Sequence, residues 1–435
     1  MGRLDLLPLE LVQGICEHLD EPDVAMLSCT SRGMDRSCTR PLYSDIFLLK
    51  FSPRMLLLCL RTLAANKVKA STVRSFLLDM DDTLPLAALT RLLRRALMNA
   101  RFLGRILIYG PPRLFTDAVS DLEFPQLRTA SFPCGPGTVS FLERHPQLID
   151  LSLWTPENKP CPIPMASVPP LSLPKLRAYC GPASVALAVL PSSAVRCPSI
   201  AWDAESLLPD NVACVLAAAA AQSQREFVRL EAELPYFAGS LLDGVVVHLA
   251  GLAELSISIK SPSAPGREEF FARLDSALPS LTSLRALTIR EDGAHRRNYD
   301  PQGDVDLSLA NFRAEFTIVR RWGALCPSLR AAALDFVYSW IKPAPEPEDS
   351  VWVPISLFPR RGRRDTFSTL RAYWWAREIL TDGEDGAVRV FGVEYMRWLQ
   401  KLAGDGGLDE VKEQIERERR GEADGGEEED EAGDT

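Results

Sequence analysis

An α/β fold made of serially repeated strand–helix units is what this sequence predicts, and three patterns carry the expectation. A short motif, apolar-x-x-apolar-x-apolar, returns nine times between about residues 70 and 340. Proline-led turns stand before several of its copies, where a helix has to end and a strand begin. Ahead of the repeats lie three short helical segments, and behind them the chain becomes charged and ends in an acidic tail.

The first helical segment opens at Pro8, which suits the first turn of a helix because its missing N–H has no intrahelical partner there. Leu11, Ile15 and Leu19 recur every four residues and form one apolar stripe, with Glu10, Gln13, Glu17 and His18 away from it. Asp20-Glu21-Pro22-Asp23 reads as a stop followed by a new start, Asp23 lying in the first turn where the helix dipole favours an acid. Val24, Met26 and Leu27 carry the next apolar face. Ser31-Arg32-Gly33 is expected to loosen the chain before a third helix ending near Leu42-Tyr43.

Leu7-Pro8-Leu9-Glu10-Leu11, Ile15, Leu19, Asp23-Val24, Leu27, Ser31-Arg32 and Leu42-Tyr43 resemble the F-box over roughly forty residues. The family pattern opens L-P-x-E-L; this chain departs from it at Met34, where many members carry an aromatic residue. The resemblance implies binding to the Skp-type adaptor of a Skp–cullin–F-box ubiquitin ligase. It assigns Leu7, Pro8, Leu11, Ile15, Leu19, Val24, Leu27, Met34 and Leu42 to that contact. A fifty-residue helical unit buries little surface alone, which agrees with a partner covering its apolar side chains. An amphipathic cap for the downstream repeats is the plainer alternative.

The repeats run as Val73-Phe76-Leu78, Leu103-Ile106-Ile108, Leu127-Ala130-Phe132, Leu148-Leu151-Leu153, Leu176-Tyr179, Phe227-Leu230-Ala232, Leu252-Leu255-Ile257, Leu284-Leu287-Ile289 and Leu329-Ala332-Leu334. A weaker copy is Val195-Pro198-Ile200. Pro125, Pro146, Pro174 and Pro327 each begin a Pro-x-Leu turn into a copy, and Leu86–Met98, Asn211–Gln222 and Phe270–Leu278 read as intervening helices. Spacings of 30, 24, 21 and 28 residues between the first five copies fit one strand and one helix per unit. The pattern resembles leucine-rich repeats in irregular form, without their Asn ladder, and implies an α/β solenoid over residues 51–360. A doubly wound α/β domain is the alternative. In a solenoid the residues between the apolar positions line one exposed face, so Asp79, Asp150, Trp154, Arg229, Glu231, Glu233, Glu254, Arg290 and Asp335 share it. Asp150, Trp154, Arg229, Glu231, Glu254 and Arg290 are the candidate contacts for a protein substrate, Trp154 foremost because Trp and Arg dominate interface energies; a solvated face is the plainer reading.

The last quarter divides into a Pro- and Glu-rich linker (342–350), a last strand within 351–358, and an arginine cluster at Arg360, Arg361, Arg363 and Arg364 that reads as a solvated loop. A helical cap carrying Trp374, Trp375 and Trp398 is expected over 361–407, then a charged helix and disordered acidic tail over 408–435.

Charge and motif content narrow the function. The net charge is −9, but eight acids and no base fall in residues 421–435, so the rest carries only −1 and no field suited to nucleic acid. Val212–Ala221, the longest apolar run, is far short of a membrane span. Ten cysteines without a C-x-x-C pair point to a reducing compartment, cytosol or nucleus, where they act as small buried residues. No nucleophile elbow, phosphate loop or zinc-protease motif occurs, four histidines leave little for general-base work, and Cys16, His18, Cys29 and Cys38 fit no common zinc spacing. No catalytic residue, metal or cofactor is therefore expected. The reading is a non-catalytic substrate receptor that joins an adaptor, and through it a cullin, to a protein substrate. Its rivals are an adaptor-bound scaffold that delivers nothing, a repeat-type interaction module, and an enzyme hidden in the α/β region.

Overall fold

A computed structural model of the protein describes residues 7–49, 53–80, 87–155, 161–165, 168–221, 228–261, 266–291, 305–334, 338–342 and 352–354. The arginine cluster, the cap over 361–407, the charged helix and acidic tail over 408–435, the linker over 343–350 and Asp335 lie outside them. The chain forms two compact units, Met1–Glu233 with Val247–Leu249 and Leu234–Val246 with Ala250–Thr435.

The first unit opens with three helices, α1 (Leu9–Cys16), α2 (Glu21–Ser28) and α3 (Arg32–Tyr43). Val12, Cys16, Val24, Met34 and Cys38 form their common core, with Leu27 and Leu42 half-buried against it. Ser31 does not loosen the chain as expected. Its hydroxyl accepts the Met34 backbone N–H at 3.1 Å and so caps α3, holding Met34 over the core.

Eight parallel strands follow, hydrogen-bonded in chain order: β1 (Asp45–Leu48), β2 (Ser75–Asp79), β3 (Arg105–Tyr109), β4 (Thr129–Pro133), β5 (Asp150–Trp154), β6 (Ala178–Pro182), β7 (Ser199–Ala201) and β8 (Arg229–Leu234). β1 lies inside the stretch expected to hold helices alone; Asp-Ile-Phe-Leu has the alternation of a half-buried strand, with Ile46 and Leu48 inward. The connections carry α4 (Pro53–Ala65), α5 (Lys67–Thr72), α6 (Ala87–Asn99), α7 (Pro112–Ala118), α8 (Thr138–Arg144), α9 (Ala183–Val189) and α10 (Pro209–Ala220).

The second unit holds α11 (Gly239–His248), β9 (Glu254–Ile259), α12 (Arg267–Ala277), β10 (Ala286–Glu291), α13 (Val305–Leu325), β11 (Ala331–Leu334), β12 (Tyr338–Ile341) and β13 (Val353–Pro354). β9, β10 and β11 are parallel, whereas β12 runs antiparallel to β11 and β13 antiparallel to β12. In neither unit does strand order reverse, as a doubly wound sheet requires at its switch point.

One local device recurs at the strand starts. The Leu N–H of each Pro-x-Leu turn reaches the carbonyl of the residue before the proline: Leu127 to Phe124, Leu148 to His145, Leu176 to Leu173 and Leu329 to Cys326, at 3.0–3.2 Å. These are β-turns with proline at the second position, where its fixed φ is already correct. Leu103 and Leu284 close the same turn without a proline. Immediately after it, one carbonyl of the preceding repeat takes two successive N–H groups. Ser44 receives Arg74 and Ser75, Arg74 receives Gly104 and Arg105, Gly104 receives Arg128 and Thr129, Arg128 receives Ile149 and Asp150, and Ile149 receives Arg177 and Ala178. Ala253 and Arg285 do the same in the second unit.

The core sits on one face of the strands. Phe132 of β4 stacks on Phe115 of α7 at 3.9 Å, and Phe141 of α8 meets both rings edge-on. Beside them His145 is fully buried: its Nδ1 donates to the Phe141 carbonyl at 2.7 Å while its Nε2 accepts the Phe124 N–H at 2.9 Å. Because the Phe124 N–H must donate, the imidazole is neutral, and burial holds its pKa below the usual 6.5. In the second unit Phe270, Phe271 and Trp322 play the same part, with the Trp322 Nε1 donating to Asp275 at 3.1 Å.

His145 makes stability depend on pH. Its pKa is lower folded than unfolded, so its contribution is complete above about pH 6.5 and declines as pH falls toward the folded value. His145→Gln is expected to cost about 2 kcal/mol by orphaning a buried N–H. It is also expected to flatten the fall in urea midpoint between pH 7 and pH 5, and the two urea series compared directly provide the check.

Candidate functional site

The three N-terminal helices carry apolar side chains both inward and outward. Val12 and Cys16, one helical turn apart on α1, are buried in the core. Leu11 and Ile15, beside them on α1, are 56% and 42% exposed, and Leu7 and Leu19, just beyond its two ends, are 37% and 36% exposed. Pro8, Leu9 and Met26 are exposed as well. Glu10, Glu17, Asp20, Glu21 and Asp23 surround them, all exposed, which gives an apolar line with an acidic rim. Of the residues assigned to a partner contact, Leu7, Pro8, Leu11, Ile15 and Leu19 therefore lie on the surface. Leu27 and Leu42 are half-buried. Val24 and Met34 are 3% and 2% exposed, so they belong to the interior and support the surface from beneath.

The second candidate group lies on the open face of the strands. Burial alternates residue by residue along β5, β8, β9 and β10, the inward positions apolar except Glu291 at the end of β10, which pairs with Arg267, and the alternate positions half-buried. Asp150, Trp154, Arg229 and Glu231 share this face in the first unit. Register separates them into two places: Ser152, Cys180, Ser199 and Glu231 stand in one row, so β8 is three strand spacings, about 14 Å, from β5. Arg229 pairs with Glu231 at 2.5 Å. Asp150 accepts the Thr129 hydroxyl at 3.2 Å on the next strand. In the second unit Glu254 lies opposite Ala286, and Arg290 is four residues farther along, about 13 Å away.

Trp154 has company that the sequence reading missed. Tyr109 of β3 stacks on it across β4, ring centroids 6.3 Å apart and planes 24° from parallel. Pro133 pairs with Trp154 in register, and Asp79 pairs with Tyr109. Tyr109 and Pro133 follow the last apolar position of their repeats, as Trp154 follows Leu153, so aligning the copies by that position would have found them. The Trp154 Nε1 is buried without a hydrogen-bond partner, which leaves the indole held by packing.

The remaining chemistry is sparse. Cys16 and Cys38 meet at 3.8 Å in the helical core, burial raising Cys38 to about 11, while His18 and Cys29 lie on the surface away from them. Among the described residues no three His, Cys, Asp or Glu side chains gather to hold a metal ion, and no helix is long and apolar enough to cross a membrane. An open cavity of roughly 510 Å³ in the second unit is lined by Thr282, Ser283, Arg285, Ser328 and Arg330, hydroxyls and guanidiniums without a carboxylate or imidazole. Against known proteins, no protein-family model matches the chain and no curated protein matches it.

The outward line on α1 predicts a separation of surface from core. Leu11→Asp and Ile15→Asp are expected to leave stability within about 0.5 kcal/mol of the parent. Val12→Asp, one residue away, is expected to cost about 3 kcal/mol or more by burying an unpaired carboxylate. Unfolding followed by circular dichroism distinguishes the two cases.

Proposed function

We propose that the chain is the substrate-recognition subunit of a Skp–cullin–F-box ubiquitin ligase, its N-terminal helices acting as an F-box and its repeats as an irregular leucine-rich-repeat-like solenoid. The observation that carries this reading is the exposed line Leu7, Leu11, Ile15 and Leu19 on a helical unit whose other face already fills its own core. Apolar side chains left in water along a short helix and at both its ends suit a surface for another helix or helix pair. The surrounding acids suit a polar rim, which governs association rate and salt dependence more than affinity.

Strand order that follows chain order in each unit supports the solenoid half of the reading, because repeats that pair only with their neighbours add strands in sequence. On the open face, Tyr109 and the half-buried Trp154 stacked on it offer rigid aromatic surface for a protein substrate. Such a receptor performs no bond chemistry. It holds a substrate near the charged ubiquitin carrier and raises the effective concentration of its lysines.

Co-purification of the full chain with a Skp-type adaptor and a cullin is the test. The parent is expected to retain both proteins, and the Leu11→Asp/Ile15→Asp variant to lose them by at least about tenfold, equivalent to roughly 1.4 kcal/mol, while remaining folded. Trp154→Ala is expected to keep the adaptor. Failure of the intact chain to bind the adaptor would overturn the ligase reading and leave a repeat-type interaction module.

A further inference from the structure

Cys134 and Cys161, twenty-seven positions apart, meet within the first unit with their sulfurs 3.4 Å apart. Cys134 directly follows β4 and is fully buried; Cys161 is half-buried. The Ser184 hydroxyl of α9 donates to the Cys161 sulfur at 3.3 Å, and a hydrogen bond in which either sulfur can donate joins Cys161 to Cys134. The Cys161 backbone N–H donates to the Asp203 carboxylate at 3.3 Å, and Asp203 also accepts the Ser206 N–H at 2.8 Å, so the segment bearing Cys161 is tied to the turn after β7. Hydrogen bonds donated to a sulfur favour its thiolate. Accordingly the hydrogen bonds from Cys134 and Ser184 hold Cys161 below the usual thiol value, against the opposing burial and the Asp203 charge, while the bond to Cys161 and burial push Cys134 up.

The pair divides the labour that thiol oxidation needs: an accessible sulfur that becomes the nucleophile and a buried neighbour that resolves it. We propose that Cys161 and Cys134 form a peroxide-oxidisable thiol pair that closes to a reversible disulfide. The Cys161 thiolate attacks one oxygen of a hydroperoxide. The O–O bond breaks, the leaving oxygen takes a proton to become water or an alcohol, and Cys161 becomes a sulfenic acid. The Cys134 sulfur then attacks the Cys161 sulfur, the S–O bond breaks, and the departing hydroxide leaves as water with the Cys134 proton. Two electrons pass from the two sulfurs to the peroxide. Closing the pair requires the sulfurs to approach by about 1.4 Å.

The molecule contains its own comparison. Cys16 and Cys38 are nearly as close, at 3.8 Å, yet both are buried and Cys38 is raised to about 11. Cys29, Cys180, Cys197 and Cys214 are exposed and more accessible than Cys161.

The experiment treats the reduced full chain with limiting hydrogen peroxide, alkylates the remaining thiols and maps them by mass spectrometry. The expected result is a loss of about 2 Da and a Cys134–Cys161-linked peptide, reversed by dithiothreitol, with the other eight cysteines still alkylated. Cys161→Ser is expected to abolish the link, and the parent peptide map stands whether or not any variant folds. Three results would overturn the proposal: oxidation of the exposed cysteines before Cys161, sulfinic acid at Cys161 without a link, or a Cys16–Cys38 link formed as readily.

Discussion

The carbonyl shared at the starts of β2 to β6, β10 and β11 is the constraint from which the rest of the molecule follows. Side chains along a strand alternate faces, so a slip of one residue would turn every inward leucine to solvent and every outward charge into the core. A turn that ends on the first apolar position, followed at once by two N–H groups on one carbonyl of the previous repeat, sets that register before the strand proper begins. The device uses only backbone atoms. It therefore tolerates Ser44, Arg74, Gly104, Arg128 and Ile149 in the same role, and it removes the need for the side-chain Asn ladder that these repeats lack. With register set, Phe76, Ile106, Ala130, Leu151 and Tyr179 come level in one row of the core.

Register also decides what the open face can do. Pro133 and Trp154, each one place past the last apolar position, stand level on β4 and β5, and Tyr109 of β3 stacks on Trp154 with the buried proline's strand between them. Aromatic rings held in parallel by a sheet lose little freedom on binding, which is what makes such rows effective contact surfaces. The charged positions behave differently. Arg229 is already matched by Glu231 on its own strand, and Asp150 is occupied by the Thr129 hydroxyl, so their contribution to a partner is mainly orientation.

At the N-terminus the constraint is size. Three helices of 8, 8 and 12 residues enclose a core of five buried apolar side chains. Such a unit has few ways to hide a second apolar line, and Leu11 and Ile15 remain in water beside Val12 and Cys16. The same helical period that fills the core produces the surface: positions one residue apart are rotated by about 100°, enough to separate an inward from an outward row.

The amino-acid sequence by itself determined most of the strands, the proline-led turns, the helical N-terminus and the outward placement of Trp154, because each rests on local periodicity or on the backbone preference of one residue. It also placed Leu11 and Ile15 in an apolar stripe. It did not separate that stripe from Val12 and Cys16, since both rows recur every four residues and only packing shows which one the other helices cover. β1 went unread because four residues between a helix and a proline carry too little pattern. The capping role of Ser31 was hidden behind the glycine that follows it. What only the tertiary structure decided are the meetings of residues far apart in the chain: Tyr109 with Trp154, His145 with the Phe124 N–H, and Cys134 with Cys161. Each depends on how many residues the intervening helices and loops consume before the next strand takes its register, and spacing along the sequence does not encode that distance in space.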